Sequence, residues 1–215
     1  MCTCFHLAPK TNDLRQIIDA VLASRLAERF GKAGKKVRTS GEIRPTDVVP
    51  VVAPGKDGRR SAFPMQWGFR MPGGSLVVNA RTETAASKPS FRDSWVCRRC
   101  AIPASWYCEW EHRIGPNGRT TVGAKYAIRS SNASMLWLCG LYRMENDLPV
   151  FTVLTREAVE SIAWIHGRMP LILPGERVDE WIRPAGRPEA VLAHALTDLT
   201  AEQDAGEPPA THPSP

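Results

Sequence analysis

The second residue of the chain carries the most reactive group in the sequence. Cys2 follows Met1 directly, and the initiator methionine is normally removed when the next residue is as small as cysteine. Removal would leave an α-amine and a thiol on adjacent carbon atoms. The amine has a pKa of about 8 and an unperturbed thiol a pKa of about 8.5, so a fraction of each is nucleophilic at neutral pH. Such a 1,2-aminothiol can react with an aldehyde to form an imine, which the thiol then closes into a five-membered thiazolidine.

Three further stretches place polar side chains where their neighbours indicate sheet and core. Asn79 follows an apolar strand pattern and can orient a substrate or a nucleophile, while Arg81 nearby suits a phosphate. Glu109 lies among aromatic residues, where desolvation would raise its pKa towards that of a general acid or base. His166 closes a helical pattern. Each stretch also has a purely structural interpretation. The segment at Asn79 could be a helix start, Glu109 an exposed carboxylate on a strand, and His166 a histidine at a helix C-terminus.

The six cysteines allow a different interpretation. A reducing cytoplasm argues against disulfides, but closely spaced pairs of thiolates also hold zinc. The four zinc ligands would be Cys2, Cys4, Cys97 and Cys100. They would make the chain a zinc-stabilised basic module that binds nucleic acid, rather than an enzyme.

Positive charge is in excess and clustered. The chain has 28 Lys and Arg against 22 Asp and Glu, a net charge of +6, with clusters at residues 32–38, 59–60 and 92–99. Clusters of this kind favour a polyanionic partner, because each neutralised phosphate releases a counterion. No apolar run reaches the length of a membrane span, and the N-terminal residues lack a secretory signal pattern. We therefore expect a cytoplasmic protein that does not bind membranes.

The sequence predicts four helices around the strands that carry these chemical groups. Residues 11–30 predict the clearest helix, because apolar residues recur there at helical spacing. Thr11 or Asn12 can cap this helix, and Gly31 can end it. Further helices are predicted at residues 157–165, 178–182 and 189–199. Thr155 is the expected cap of the first of these three.

Strand patterns occupy most of the remaining chain. They are predicted at residues 48–52, 62–69, 76–79, 99–102, 106–111, 126–129, 136–142 and 150–154. Such a series of short strands with few helices indicates a curled or barrel-like sheet. The 215-residue length and 43% hydrophobic content fit one domain. We place it at residues 1–199, followed by a disordered tail at 200–215 that is rich in Pro, Ala, Glu and Thr.

Together with Cys2, several motifs in this order resemble the SRAP family, the SOS response-associated peptidases that process abasic sites. The matching segments are 42–47 (EIRPTD), 67–69 (WGF), 79–84 (NARTET), 91–92 (FR), 99–104 (RCAIPA), 109–110 (EW) and 166–173 (HGRMPLIL). The resemblance covers the chain from its start to about residue 182. It implies an α+β fold, in which a mixed, mainly antiparallel sheet curls into a barrel with flanking helices.

The resemblance also implies a function. Family members use the mature N-terminal cysteine to form a thiazolidine crosslink with the ring-opened aldehyde of an abasic site in single-stranded DNA, which protects the lesion. On this basis Cys2 is the nucleophile, and Asn79 positions it or the opened sugar. Glu109 shuttles protons, and His166 assists the Schiff-base stage and reversal. β-Elimination is an expected side activity, and the family name keeps a thiol (auto)peptidase as an alternative.

Further contacts are implied for the DNA itself. Arg81 and Arg168 are expected to hold DNA beside the lesion, and Trp67 is expected to offer an exposed indole on which unpaired bases stack. No metal or cofactor is expected. The protein should act as a monomer, associated with the nucleoid when it is bound to DNA.

The sequence also departs from the family pattern near the site. Thr3 and Cys4 stand where members commonly have Gly and Arg, and Gly167 stands where they have Asp. The segment before Glu109 is Trp106-Tyr107-Cys108 instead of Gly-Phe-Tyr. After residue 182 the resemblance fades, and the tail is expected to replace the family's further C-terminal strands.

Overall fold

The computed structural model of the chain describes residues 2–115, 118–184 and 186–204. The strands are β1 Cys4–Leu7, β2 Gly41–Ile43, β3 Val48–Pro54, β4 Arg60–Trp67, β5 Phe69–Arg70, β6 Leu76–Val77, β7 Asn79–Arg81, β8 Arg99–Ala104, β9 Trp106–Ile114, β10 Thr120–Ser130, β11 Leu136–Glu145, β12 Leu148–Glu157, β13 Arg168–Pro170, β14 Ile172–Leu173 and β15 Leu199–Asp204. The α-helices are α1 Asn12–Leu22, α2 Arg25–Lys32, α3 Thr82–Ala85, α4 Pro89–Cys97, α5 Glu160–Ala163, α6 Val178–Ile182 and α7 Pro188–Leu192.

A ring of strands closes into a barrel. β12 pairs with β4, β4 with β3, β3 with β8, β8 with β11, and β11 pairs back with β12. All of these pairs are antiparallel except β12 with β4, which is parallel. Closure leaves no unpaired edge within the ring. The predicted α+β class, with a mainly antiparallel barrel-like sheet and flanking helices, is confirmed.

A second sheet lies beside the barrel, with the strand order β15-β10-β9-β1-β2. β8 and β9 are separated only by Ser105, so the chain passes directly from the barrel into this sheet. The two sheets share one core, in which Phe5 and Tyr107 of the second sheet join Met65 and Phe151 of the barrel. The second sheet therefore holds β1, which follows Cys2, against the barrel wall.

Strand β3 shows why the barrel strands read as continuous apolar runs. Val49 and Val51 belong to the core shared by the two sheets, whereas Val48 and Val52 belong to separate clusters on the opposite face. Because successive side chains of a strand point to opposite faces, a strand with both faces covered needs apolar residues throughout. Helix α1 packs on β3 and β4.

The single helix predicted at residues 11–30 is divided in two. Thr11 caps α1 as predicted, with its Oγ1 accepting from the Leu14 N–H at 3.4 Å, but Ser24 then caps a second helix by accepting from the Ala27 N–H at 3.2 Å. A side chain that caps competes with continued helix, so the chain turns at this serine. The helix also runs past the predicted stop at Gly31. No helix in the described ranges is long and apolar enough to cross a membrane.

The helix predicted at residues 157–165, with Thr155 as its cap, is wrong. β12 continues to Glu157, and Thr155 lies within it, buried and paired with Pro170 and Arg81 on the two neighbouring strands. Pairing on both sides outweighs the local helical pattern. Only α5, of four residues, remains of the prediction.

The predicted boundary between the domain and a disordered tail at residue 199 is also wrong. β15 runs from Leu199 to Asp204 and pairs with β10 over six residues, so the domain includes it. Of the helix predicted at 189–199, only the segment in α7 is helical. Residues 205–215 lie outside the described residues. The sequence pattern did not predict α4, which buries Phe91 and Trp95.

Candidate active site around Cys2

Cys2 is held at the point where the chain enters the second sheet. Its side chain is 0% exposed, and its Sγ donates to the backbone oxygen of Cys4 at 3.7 Å. The Asn79 side chain crosses from the barrel and donates from Nδ2 to the backbone oxygen of Cys2 at 2.8 Å. The structure therefore joins the predicted nucleophile to the predicted positioning residue by a direct hydrogen bond.

Asn79 is positioned by strand pairing. It opens β7, which runs parallel to β12 with Asn79 opposite Val153, and the Val153 N–H donates to the Val78 oxygen at 3.0 Å. The Oδ1 atom of Asn79 is buried and has no hydrogen-bond partner among the described residues. A buried acceptor without a partner costs about 1–3 kcal/mol, so this atom suits a donor supplied by a bound substrate.

Glu109 lies on β9, opposite Tyr126 of β10, and is 3% exposed. Burial raises the pKa of its carboxyl group, and the positive charge of the amino terminus opposes that rise. Burial likewise raises the pKa of the Cys2 thiol, and the Glu109 charge raises it further. The thiol therefore holds its proton at neutral pH and needs a base to react, while the carboxyl group near it is tuned to exchange protons.

Two histidines lie together beside Glu109. The rings of His112 and His166 meet edge to face, with their centroids 4.5 Å apart. Burial lowers the pKa of His166 to about 4, with the amino terminus and His112 adding to the effect, and the Arg168 N–H donates to its Nδ1 at 2.9 Å. Burial also lowers the pKa of His112. Both rings are therefore neutral at neutral pH and can accept a proton.

A cleft of about 300 Å³ opens beside Glu109 and His112, lined by Thr3, Arg44, Pro45, Glu109, Trp110, His112 and Val122. Arg44 is exposed at its edge, paired with Glu42 at 2.5 Å. His112 and Arg44 were not among the predicted site residues. Arg44 lies in one of the family-like segments, so the sequence offered a signal for it. Nothing in the residue spacing indicated His112. Its backbone N–H donates to the Ile165 oxygen, and this hydrogen bond places His112 next to His166.

The residues predicted to contact DNA lie in three different environments. Arg81 is exposed at the end of β7. Arg168 is bound by both oxygens of Glu83, at 2.7 and 2.9 Å, and also donates to the Thr155 oxygen at 2.8 Å. This ion pair lowers the pKa of Glu83. Arg168 therefore fixes α3 to the barrel in this structure.

The expectation of an exposed indole at Trp67 is wrong. The ring is 0% exposed and packs against Phe5 and Phe151, at centroid distances of 5.3 and 6.0 Å. It is buried because it faces the core shared by the two sheets. Its Nε1 donates to the Val78 oxygen at 2.9 Å, so Trp67 supports the backbone immediately before Asn79 instead of offering a surface to nucleotides.

The four-cysteine zinc site is also wrong. Cys97 is exposed at the end of α4, whereas Cys100 is buried in β8. In the part of the chain that the structure describes, the only group of three potential ligand side chains within 4.8 Å of one another is Cys4, Glu42 and Cys108. The predicted thiols therefore do not converge on one metal ion.

The closed barrel, the flanking sheet and Cys2 just before β1 define a class of protein in which an amide and a buried carboxyl group lie close to a cysteine at residue 2, with two neutral imidazoles beside the carboxyl group. The family model described as SOS response associated peptidase (SRAP) matches residues 1–207. The chain belongs to the SRAP family. The match extends beyond residue 182, so the C-terminal strand β15 lies within the family domain.

Individual relatives agree with this assignment. The chain is 33% identical over 167 residues to the abasic site processing protein YoqW of Bacillus subtilis, covering 73% of this chain and 71% of YoqW. It is 26% identical over 158 residues to the abasic site processing protein YedK of Escherichia coli, covering 65% and 68%. The crystal structure of a phage-related protein from Bordetella bronchiseptica superimposes with a TM-score of 0.70 at 20% identity, covering 96% of this chain and 95% of that one. This last likeness shows a shared fold.

Proposed function

We propose that the chain processes abasic sites in single-stranded DNA by forming a covalent thiazolidine through Cys2, after Met1 has been removed. The observation that carries this proposal is the hydrogen bond of 2.8 Å from Asn79 to Cys2, beside the buried carboxyl group of Glu109. The abasic site processing relatives support the class of substrate.

The reaction divides into two steps. The α-amine of the mature terminus attacks the aldehyde of the ring-opened sugar, and loss of water gives an imine. The Cys2 sulfur then adds to the imine carbon, and the nitrogen takes a proton, which closes the five-membered ring. Glu109 delivers a proton as the sugar opens and accepts the thiol proton as the ring closes. The raised pKa of Glu109 suits a carboxyl group that first donates a proton and then accepts one.

His166 is suited to the imine stage. Its pKa of about 4 leaves the ring neutral at neutral pH, so it can accept a proton from the carbon next to the imine or from water. Removal of that carbon-bound proton leads to β-elimination, which cleaves the strand. Retention of the proton leads to the thiazolidine. The proposed strand cleavage is therefore a side activity of the same imine.

The substrate is proposed to be unpaired. A cleft of about 300 Å³ beside Glu109 and His112 has room for one extrahelical residue, whereas a residue held within a duplex cannot enter it. Arg44, exposed at the edge of this cleft, and Arg81, exposed at the end of β7, are the candidate contacts to phosphates. Their guanidinium groups match phosphate oxygens in geometry and charge.

The proposal is tested with purified protein whose Met1 removal has been verified by mass spectrometry. We expect a heat-stable, slower-migrating band on a denaturing gel when the protein meets a single-stranded oligonucleotide containing one abasic site. An intact oligonucleotide gives no band, and an abasic site within a duplex gives much less. Absence of the band with the single-stranded abasic substrate overturns the proposal. Shortened labelled fragments in the same lanes report β-elimination.

Replacing Asn79 by alanine is expected to slow formation of the band about tenfold. The change removes the hydrogen bond to the Cys2 backbone and leaves a buried carbonyl without its donor, a loss of about 1–3 kcal/mol. Rates are measured from gel time courses under single-turnover conditions. Asn132→Ala is the matched control, because Asn132 is exposed and hydrogen-bonds to Asp198 in a loop. Equal rates for the two variants would contradict the positioning role.

A further inference from the structure

Cys4 and Cys108 form a pair that the proposed crosslinking does not use. They are direct partners across the antiparallel pair of β1 and β9. Both side chains are 1% exposed, and their sulfur atoms lie within 4.8 Å of each other. The two thiols interact, and this interaction raises the pKa of Cys4 and lowers the pKa of Cys108.

The register of the two strands permits a disulfide. Directly opposed residues in antiparallel strands have their Cα atoms about 4.5–5.5 Å apart. A disulfide requires a Cα separation of about 4.4–6.8 Å. Cys4 and Cys108 therefore need rotation of their side chains to form the bond, and no movement of the backbone.

The two thiols have different surroundings. The interaction with Cys4 lowers the pKa of Cys108, burial opposes that shift and the charge of Lys125 supports it, while the pKa of Cys4 is raised. Lys125 is itself buried and held by Glu42 at 2.5 Å and Asp204 at 3.0 Å. Two thiols in contact beside a fixed ammonium group can form a disulfide by thiol oxidation and exchange when an oxidant reaches them.

The same charges disfavour a metal ion. Glu42 is the third member of the ligand-like group, and cations already occupy both of its oxygens. Lys125 binds Oε2 at 2.5 Å, and Arg44 binds Oε1 at 2.5 Å. A divalent cation would have to enter beside two positive side chains and displace one of them, so oxidation of the thiols is the better supported chemistry.

We propose that Cys4 and Cys108 are a site of reversible oxidation, which hydrogen peroxide converts to an interstrand disulfide. The Cys108 thiolate attacks the peroxide, which breaks the O–O bond and gives a sulfenic acid, and the hydroxide that leaves takes a proton to become water. The Cys4 sulfur then attacks the sulfenic sulfur, the S–S bond forms, and the second oxygen leaves as water with the thiol proton. Two electrons pass from the thiols to the peroxide.

This disulfide would join the two strands that carry the candidate active site. The Cys4 backbone oxygen accepts the hydrogen bond from the Cys2 sulfur at 3.7 Å. Cys108 directly precedes Glu109 on β9. Oxidation would therefore fix the positions of β1 and β9 relative to each other while leaving the Cys2 thiol unconsumed.

The test treats the reduced protein with hydrogen peroxide, blocks the remaining thiols with iodoacetamide, and analyses tryptic peptides by mass spectrometry. We expect a linked peptide that dithiothreitol separates. Each half carries a second cysteine, Cys2 or Cys100, so fragmentation must assign the bond to Cys4 and Cys108. Closing a loop of about 100 residues is also expected to raise Tm by about 10 °C or more.

Two variants make the outcome decisive. Cys97→Ser removes the exposed thiol, and the linked peptide should form in it unchanged. Cys2→Ala abolishes the proposed crosslinking but should still give the Cys4–Cys108 bond, so failure of one proposal is distinguishable from failure of the other. Three results would overturn the inference: a link that uses Cys2 or Cys100, oxidation confined to Cys97, or stoichiometric zinc that prevents oxidation until it is chelated.

Discussion

Cys2→Ala is expected to abolish the heat-stable adduct with abasic single-stranded DNA, by about two orders of magnitude or more in yield. Alanine leaves the mature amine in place, so an imine can still form, but no sulfur is present to close the ring. The imine hydrolyses when the sample is heated. Adding borohydride before heating should restore a band in the variant, because reduction converts the imine to a stable amine.

Cys97→Ala is the matched control for this change. Cys97 is an exposed free thiol at the end of α4, and its removal should leave the adduct at the wild-type level. Cys2→Ser keeps the size of the side chain but replaces the thiol with a far weaker nucleophile, so it should behave like Cys2→Ala. Undiminished adduct in either Cys2 variant would refute the assignment of the nucleophile.

Glu109→Gln is expected to slow adduct formation about a hundredfold, the usual contribution of a general acid or base. Glutamine keeps the shape of the side chain but exchanges no proton, so both sugar opening and thiol deprotonation lose their shuttle. Glu111→Gln provides the control, because Glu111 lies on the same strand and pairs with Arg113 at 2.7 Å. The rates come from single-turnover gel assays. A slower rate in Glu111→Gln, with an unchanged rate in Glu109→Gln, would contradict the assignment of Glu109 as the proton shuttle.

The same variant should change how stability depends on pH. The folded state raises the pKa of Glu109 through burial, so the folded protein binds this proton more tightly than the unfolded chain does. The wild-type free energy of unfolding therefore falls as pH rises from the ordinary glutamate pKa of about 4.3 through the raised value. Glu109→Gln has no carboxyl group to titrate at this position. Its free energy of unfolding should therefore rise relative to that of the wild type over this pH range.

Urea unfolding at a series of pH values measures this difference. His166 has a shift of the opposite sign, with its folded-state pKa lowered to about 4, but it is present in both proteins and its effect cancels in the comparison. Curves for wild type and Glu109→Gln that remain parallel across the acidic range would show that the Glu109 pKa is not raised in the folded protein.

Local patterns predicted the strands of the barrel well. The segments around Val49, Ile102 and Phe151 are apolar on both faces, and that composition follows directly from burial on both sides of a strand. The same patterns failed where a distant pairing decided the outcome. Thr155 reads as a helix cap from its neighbours, yet β7 and β13 bind it on both sides as a strand residue. Residues 200–204 read as a tail, yet β10 pairs with them.

The candidate site shows the same contrast between what local sequence predicts and what distant strand pairing decides. The sequence by itself predicted Cys2 as the nucleophile, because removal of Met1 would leave an amine and a thiol together at residue 2, and its motifs indicated the family that the comparison then showed. Only the tertiary structure decided which groups lie beside Cys2. It buries Trp67 in the core, brings Asn79 to the Cys2 backbone, and pairs Cys4 with Cys108 rather than with Cys97 or Cys100. These outcomes depend on the pairing of strands far apart in the chain, and the local pattern of one strand does not show which distant strand it will pair with.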